Sequence, residues 1–404
     1  MRILCMSLLS LCLANPCIAA VADHFESPAV HALELSSDGG LLYAVHTADH
    51  RLVVFSLAGD TPERVAEIPV GLEPVTVRER PGSGQVWVVN HLSDSISIVD
   101  VATRRVVDTI LVGDEPTDVV FAGDPQRAFV CLSQEDRLLV LDPDQPRAAG
   151  TSVPLEGSDP RSLAVSADNS TVYVAIHESG NETTAIHFEV VDALGGPPAP
   201  DPPMAAGLPP APRSALIVKY DGSAWRDETG GDWTAAVGYT LLDNDVIAVD
   251  ANSLTATQVW RGAGTHLFNL AVNPVSGDVI ATAQEAHNEI RFEPNLNGVF
   301  ADSRLAVLGA GGQVDVADLN PHVDRQLPGD PATRDQSVSI PLDVVVSPDG
   351  SSVYVASFGS SKVVVLDGQG NLLRRIPTGP GPAALGVAGD RLYVLERFGS
   401  DLAW

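Results

Sequence analysis

The chain has 404 residues, and its 24 Lys and Arg stand against 52 Asp and Glu, a formal net charge of −28. So acidic a surface argues against nucleic acid and anionic membrane as partners and favours cations or basic proteins. Four cysteines occur, three of them within the first 17 residues, so removal of that segment leaves Cys131 with no partner for an intramolecular disulfide.

In chain order, Arg2, the apolar run Ile3 to Ala14 and the small residues up to Ala22 read as a secretory signal peptide over residues 1–22. Its apolar core is too short to span a bilayer, and no other stretch reads as transmembrane. Gly71-Leu72-Glu73-Pro74, Gly113-Asp114-Glu115-Pro116 and Gly157-Ser158-Asp159-Pro160 then recur at spacings of 42 and 44 residues. After each comes a β-rich run, a turn and an aromatic-led strand, as in Tyr43-Ala44-Val45-His46, Trp87-Val88-Val89-Asn90 and Tyr173-Val174-Ala175-Ile176. A period of this length with about four strands per unit predicts a β-propeller.

The fold class is therefore all-β, a seven-bladed β-propeller over 23–404 with its last blade incomplete. Blades begin near residues 28, 74, 116, 160, 266, 341 and 382. Asp100, Asp142, Asp250 and Asp367 end third strands and should cap the following turns through local hydrogen bonds. Blade four is too long for the period and carries insertions at about 193–245, including the Pro-rich run Gly195 to Pro212. Blade five carries another at about 295–335. Blade seven has two inner strands only, so Arg391 to Leu395 is expected as an exposed edge open to association.

These units resemble the YVTN family of propeller repeats, with Trp87-Val88-Val89-Asn90 in the place of the family's signature strand. Leu267-Phe268-Asn269-Leu270-Ala271-Val272-Asn273-Pro274 and Asn288-Glu289-Ile290-Arg291-Phe292 are similar to a bacterial subfamily in which the propeller precedes a di-haem, cytochrome c peroxidase-like segment. That haem segment is absent, and no Cys-x-x-Cys-His occurs, so the resemblance implies the scaffold without peroxidase chemistry. Asp401-Leu402-Ala403-Trp404 resembles a stretch inside the haem-bearing part, which implies a remnant joined to blade seven.

Candidate chemistry lies where first strands begin and second strands end, on one face of the central channel. Thr76, Asp118, Ser162, Asn269 and Asp343 are polar at the start of apolar inner strands and are expected to line the channel. His31, His46, His91 and His177 on that face, with Asp118 and Asp343, form a candidate funnel for a divalent metal, since imidazole and carboxylate suit such ions. A solvated channel mouth explains the same residues. No other cofactor is expected. His177, Glu178 and Arg397 are the acid/base and anion-stabilising candidates if the chain is a hydrolase resembling propeller lactonases. The loop acids Asp221, Asp227, Glu228 and Asp232 lack calcium-loop spacing. The reading is a periplasmic or secreted, non-catalytic binding or scaffold module taking a protein or small ligand at the channel face. The alternatives are a lactonase-like hydrolase, a metal-binding propeller, or a remnant without a role of its own.

Overall fold

The computed structural model describes residues 27–196, 198, 207, 215–289, 299–325, 330–399 and 401–404. The expected signal peptide, most of the Pro-rich run and Ile290-Arg291-Phe292 lie outside them. The described chain is nearly all β, with six four-stranded and two three-stranded antiparallel sheets.

The first sheet comprises Leu33–Leu35, Leu41–His46, Arg51–Ser56 and Glu63–Pro69, and the next two open on Pro74–Arg80 and Pro116–Ala122. The fourth comprises Ser158–Val165, Thr171–Glu178, Val246–Asp250 and Ala256–Trp260. Further sheets open on His266–Val272, Pro341–Val346 and Pro382–Ala388. Opening strands of successive sheets pack side by side, and Pro382–Ala388 packs against Leu33–Leu35, which closes a ring about one axis. The aromatics that lead second strands fill the gaps between sheets. Trp87 is fully buried and meets Phe121 of the next sheet edge-on, with ring centroids 5.2 Å apart.

The Gly-x-x-Pro repeat has a steric cause. A side chain on Gly71 would strike Asn90 and Ser93, one on Gly113 would strike Leu132 and Glu135, and one on Gly157 would strike Ile176. The residue before each proline is left-handed, with φ of 50° at Glu73, 48° at Glu115 and 52° at Asp159. That conformation costs roughly 1–2 kcal/mol for a residue with a Cβ. It is held because the neighbouring loop captures each amide: Glu73 N–H donates to His50 Nδ1, Glu115 N–H to Asp94 Oδ1 and Asp159 N–H to Asp136 Oδ1. The strand-ending aspartates act as expected, Asp100 accepting from Thr103 N–H at 2.7 Å and Asp250 from Ser253 N–H at 2.7 Å.

Three expectations need correction. The stretch 295–335 is not one excursion: Ala301–Leu308 and Val314–Asp318 are the third and fourth strands of the fifth sheet, and Leu305, Ala306 and Leu308 are buried in it. The fourth sheet's extension starts earlier than 193, because Thr183–Ile186, Leu216–Tyr220 and Trp225–Arg226 form a small separate sheet. Its core is Ile186, Val191, Leu216 and Val218. The last sheet also has a third strand, since Asp401–Ala403 pairs with Val394–Glu396. The edge predicted at Arg391 to Leu395 is thus covered over its second half.

Candidate functional site

Four polar side chains at the start of inner strands form a buried collar around the axis. Asp118 Oδ2 accepts from Leu163 N–H of the next sheet at 2.7 Å and from His31 Nδ1 at 2.8 Å. Ser162 Oγ donates to Asn269 Oδ1 at 2.6 Å and accepts from Leu270 N–H at 3.2 Å. Asn269 Nδ2 donates to Asp343 Oδ1 at 2.6 Å, and Asp343 Oδ2 accepts from Leu385 N–H at 2.7 Å. Each side chain ties its strand to a neighbouring sheet. Thr76 joins them by donating to Thr117 O at 2.8 Å. These five residues were expected to face a solvated channel, yet they are buried. A β-rich inner strand leaves backbone donors toward the next sheet, and an inward polar side chain is the group placed to satisfy them.

The segment Ser27–His31 crosses one end of the axis. Val30 N–H donates to Val75 O at 3.0 Å, while Val30 O accepts from Asn269 Nδ2 at 2.7 Å. Arg161 Nη2 reaches Ala29 O at 2.9 Å, and Arg397 Nη1 reaches Ser27 O at 3.3 Å. Residues from the second, fourth, fifth and last sheets thereby hold one short segment over the axis.

On the other side of the collar lies an axial cavity of about 520 Å3. Its wall is mainly aliphatic, with Leu35, Val165, Val272, Val346 and Val387 among the lining residues, and its polar end carries His31, Glu34, Arg78 and Asp343. Arg78 Nη1 donates to Glu34 Oε2 at 3.0 Å, whereas its Nε is buried without a hydrogen-bond partner, 3.8 Å from Asp118 Oδ1. Burial, aided by Arg78, lowers the His31 pKa and favours the neutral imidazole, which Asp118 opposes. Burial works against ionising Asp118, but His31, Arg78 and the Leu163 amide outweigh it and hold the carboxyl below its ordinary value. Burial pushes Asp343 up to about 7 against the amides that favour its ionised form.

The other candidates stand apart. His177 Nδ1 bonds Leu267 O at 2.8 Å and its ring meets His266 and Phe268; burial lowers its pKa to about 4. Glu178 follows it as an exposed strand end. His46 and Arg397 line a different cavity, of about 220 Å3, between the first and last sheets. His91 Nδ1 bonds Pro116 O at 3.2 Å. The proposed acid/base set is therefore divided between two places, and of the funnel histidines His31, His91 and His177 each bond a different partner while His46 lines the second cavity. Among the described residues no three His, Cys, Asp or Glu side chains group so as to hold a metal ion. Cys131 is buried, and burial raises its thiol pKa, as suits a structural residue. In the acidic loop, Asp227 accepts from Trp233 Nε1 at 2.7 Å and Asp221 pairs with Arg226. Glu34 and Arg78 were missed by sequence reasoning. Their signal was a charged pair on strands otherwise apolar on the axial side.

No known protein family matches the chain. Protein NirF of Pseudomonas aeruginosa is 26% identical to it over 129 residues, 31% of this chain and 32% of that protein, so the match spans about a third of the relative's length. Hydrazine synthase of Kuenenia stuttgartiensis superposes with a TM-score of 0.68 at 18% identity, covering 95% of this chain and 97% of that one. The Pseudomonas aeruginosa periplasmic gluconolactonase PpgL superposes with a TM-score of 0.51 at 15% identity, covering 86% and 85%. At these identities the likeness is one of fold, and the fold is a β-propeller. No helix among the described residues is long and apolar enough to cross a membrane.

Proposed function

We propose that the chain is a periplasmic or secreted propeller of seven blades, related to the YVTN repeats, that holds a small ligand in its axial cavity as a binding module. Residues 1–22 act as the leader and 23–404 as one propeller in this reading. The carrying observation is the cavity of about 520 Å3 with an aliphatic wall and one unsatisfied buried donor, Arg78 Nε. Pockets of this volume suit small ligands, with a few polar groups fixing orientation. Glu34 and Asp118 balance Arg78, so the fitting ligand is neutral, with an apolar body and a carbonyl or hydroxyl oxygen for Arg78. Ring order and the closing contact of the last sheet on the first support the blade count. The fold shared with a periplasmic gluconolactonase supports the location.

A hydrolase reading has one observation in its favour, the Asp343 carboxyl poised near 7 at the cavity's polar end. Calorimetric titration with δ-valerolactone and with its unreactive lactam analogue 2-piperidone separates the two. A binder gives saturable heat from both, weakened by Arg78→Met, with lactone opening no faster than in buffer. Lactone turnover lost in His177→Gln or Asp343→Asn would establish the hydrolase instead. Absence of heat from both compounds would remove the axial ligand class.

A further inference from the structure

The sixth sheet, Pro341–Val346, Ser352–Ser357, Lys362–Asp367 and Leu372–Pro377, carries a cleft of about 590 Å3 that shares no lining residue with the axial cavity. Three cations converge on it. Arg334 comes from the 3-10 turn Pro331–Gln336, Lys362 opens the third strand and Arg375 lies on the fourth. In a chain with more than twice as many acids as bases this is unusual placement, and Asp335 is the single carboxylate in the lining.

The cations elsewhere are mostly matched. Arg51 pairs with Glu67, Arg80 with Asp144, Arg137 with Glu135 and Arg325 with Asp302. Among the described residues Arg334, Lys362 and Arg375 enter no ion pair, and Arg375 Nε is a buried donor without a partner. Lys362 is buried, and its Nζ donates to Asp335 O at 2.6 Å and Ser337 O at 3.0 Å, so its head is fixed at the base of the cleft. Burial and the nearby Arg375 charge both press Lys362 toward deprotonation, with Asp335 opposing. Three cations against the one carboxylate, Asp335, leave net positive charge uncompensated in the cleft. The hydroxyls of Ser339, Ser360 and Ser361 also line the cleft and have no hydrogen-bond partner among the described residues.

We infer that this cleft binds the phosphate or sulfate monoester of a polyol. A tetrahedral oxyanion offers three terminal oxygens and up to two charges, enough to engage Lys362 as a point charge and the Arg375 and Arg334 guanidinium forks together. A lone carboxylate would leave part of that charge unmatched. The serine hydroxyls suit the remaining oxygens of a polyol, and the volume exceeds what a bare ion fills. This site goes beyond the axial reading and shares no lining residue with it.

The test uses the full chain and isothermal calorimetry at low ionic strength with glycerol 3-phosphate, glycerol sulfate, glycerol, inorganic phosphate and inorganic sulfate. One saturable site for an ester, with glycerol silent, is expected, and the preferred ester and the matching inorganic ion identify which source the cleft takes. Arg334→Gln together with Arg375→Gln should weaken that binding at least tenfold, whereas Arg78→Met should leave it unchanged. Lys362 is left intact because it also supports the turn. Binding unaffected by the double substitution, or no binding of either ester at millimolar concentration, overturns the inference.

Discussion

The axial collar and the sixth-sheet cleft are both rich in polar side chains, yet they differ in what those side chains already do. In the collar Asp118, Ser162, Asn269 and Asp343 are joined to one another or to the next sheet's amides. In the cleft Arg375 Nε and three serine hydroxyls have no partner among the described residues. Polar residues converging on an axis are therefore a poor sign of ligand binding in this molecule. Unsatisfied donors are the better sign, because a buried polar group without a partner costs free energy that a ligand can recover.

The largest expected effect lies in the collar. Asp118→Ala leaves His31 and the Leu163 amide without their shared acceptor and Arg78 without a nearby counter-charge, and removing one partner of a buried charged network costs about 3–5 kcal/mol. Denaturant unfolding should show that loss while glycerol ester binding in the surviving folded fraction is unaltered. A loss under about 1 kcal/mol would mean that the collar is not what joins the sheets.

A second expectation concerns pH. Asp343 binds its proton more tightly folded, near 7, than unfolded, near the ordinary 3.8, so between these values the folded state holds more protons and stability from this group falls as pH rises. Asp118 is shifted downward, so its contribution is present above about 4 and is lost as pH falls below it. Asp343→Asn removes an acceptor for Asn269 or Leu385, a cost of about 1–3 kcal/mol at pH 5. Its deficit relative to the parent should shrink at pH 8, where the parent carries a buried charge. A deficit that stays constant from pH 5 to pH 8 would show that Asp343 is ionised throughout and that its amide donors outweigh burial.

Much of the fold was legible because its determinants are local and recur. Gly71, Gly113 and Gly157 are required where the chain crosses a neighbouring strand end, and the aspartates closing third strands cap their own turns. The collar positions were legible as a column, since alternation places Asp118, Ser162, Asn269 and Asp343 alike. Their role was not, because it depends on amides of the next sheet, 45 residues away for Asp118, 42 for Asp343 and 108 for Ser162. The placement of Ser27–His31 over the axis was hidden for a related reason: Asn269 reaches Val30 across 239 residues of sequence. His177 and Arg397 look alike in column position, but His177 packs on the fifth sheet's opening strand while Arg397 lines the cavity between the first and last sheets. The cleft was invisible from the repeat, because Arg334 comes from the irregular segment between two sheets while Lys362 and Arg375 belong to ordinary strands.

The smallest expected effect sharpens the contrast most, because it asks whether the cleft's donors are truly idle. Arg375 is half-buried, has no ion pair among the described residues, and places its charge against Lys362. Arg375→Gln removes a repulsion and breaks no ion pair among the described residues, so without ligand the stability should stay within about 0.5 kcal/mol of the parent, or rise slightly. Lys362→Met is the internal control. It strips two carbonyls, Asp335 O and Ser337 O, of their donor and should cost about 1–3 kcal/mol even though the two cations share one cleft. Chemical denaturation of both variants in an anion-poor buffer measures the pair. Equal losses would mean that Arg375 is as structural as Lys362, and its side chain could then no longer be counted among groups waiting for a ligand. A neutral Arg375→Gln beside a destabilised Lys362→Met would place the boundary between framework and site inside a single sheet, one strand apart.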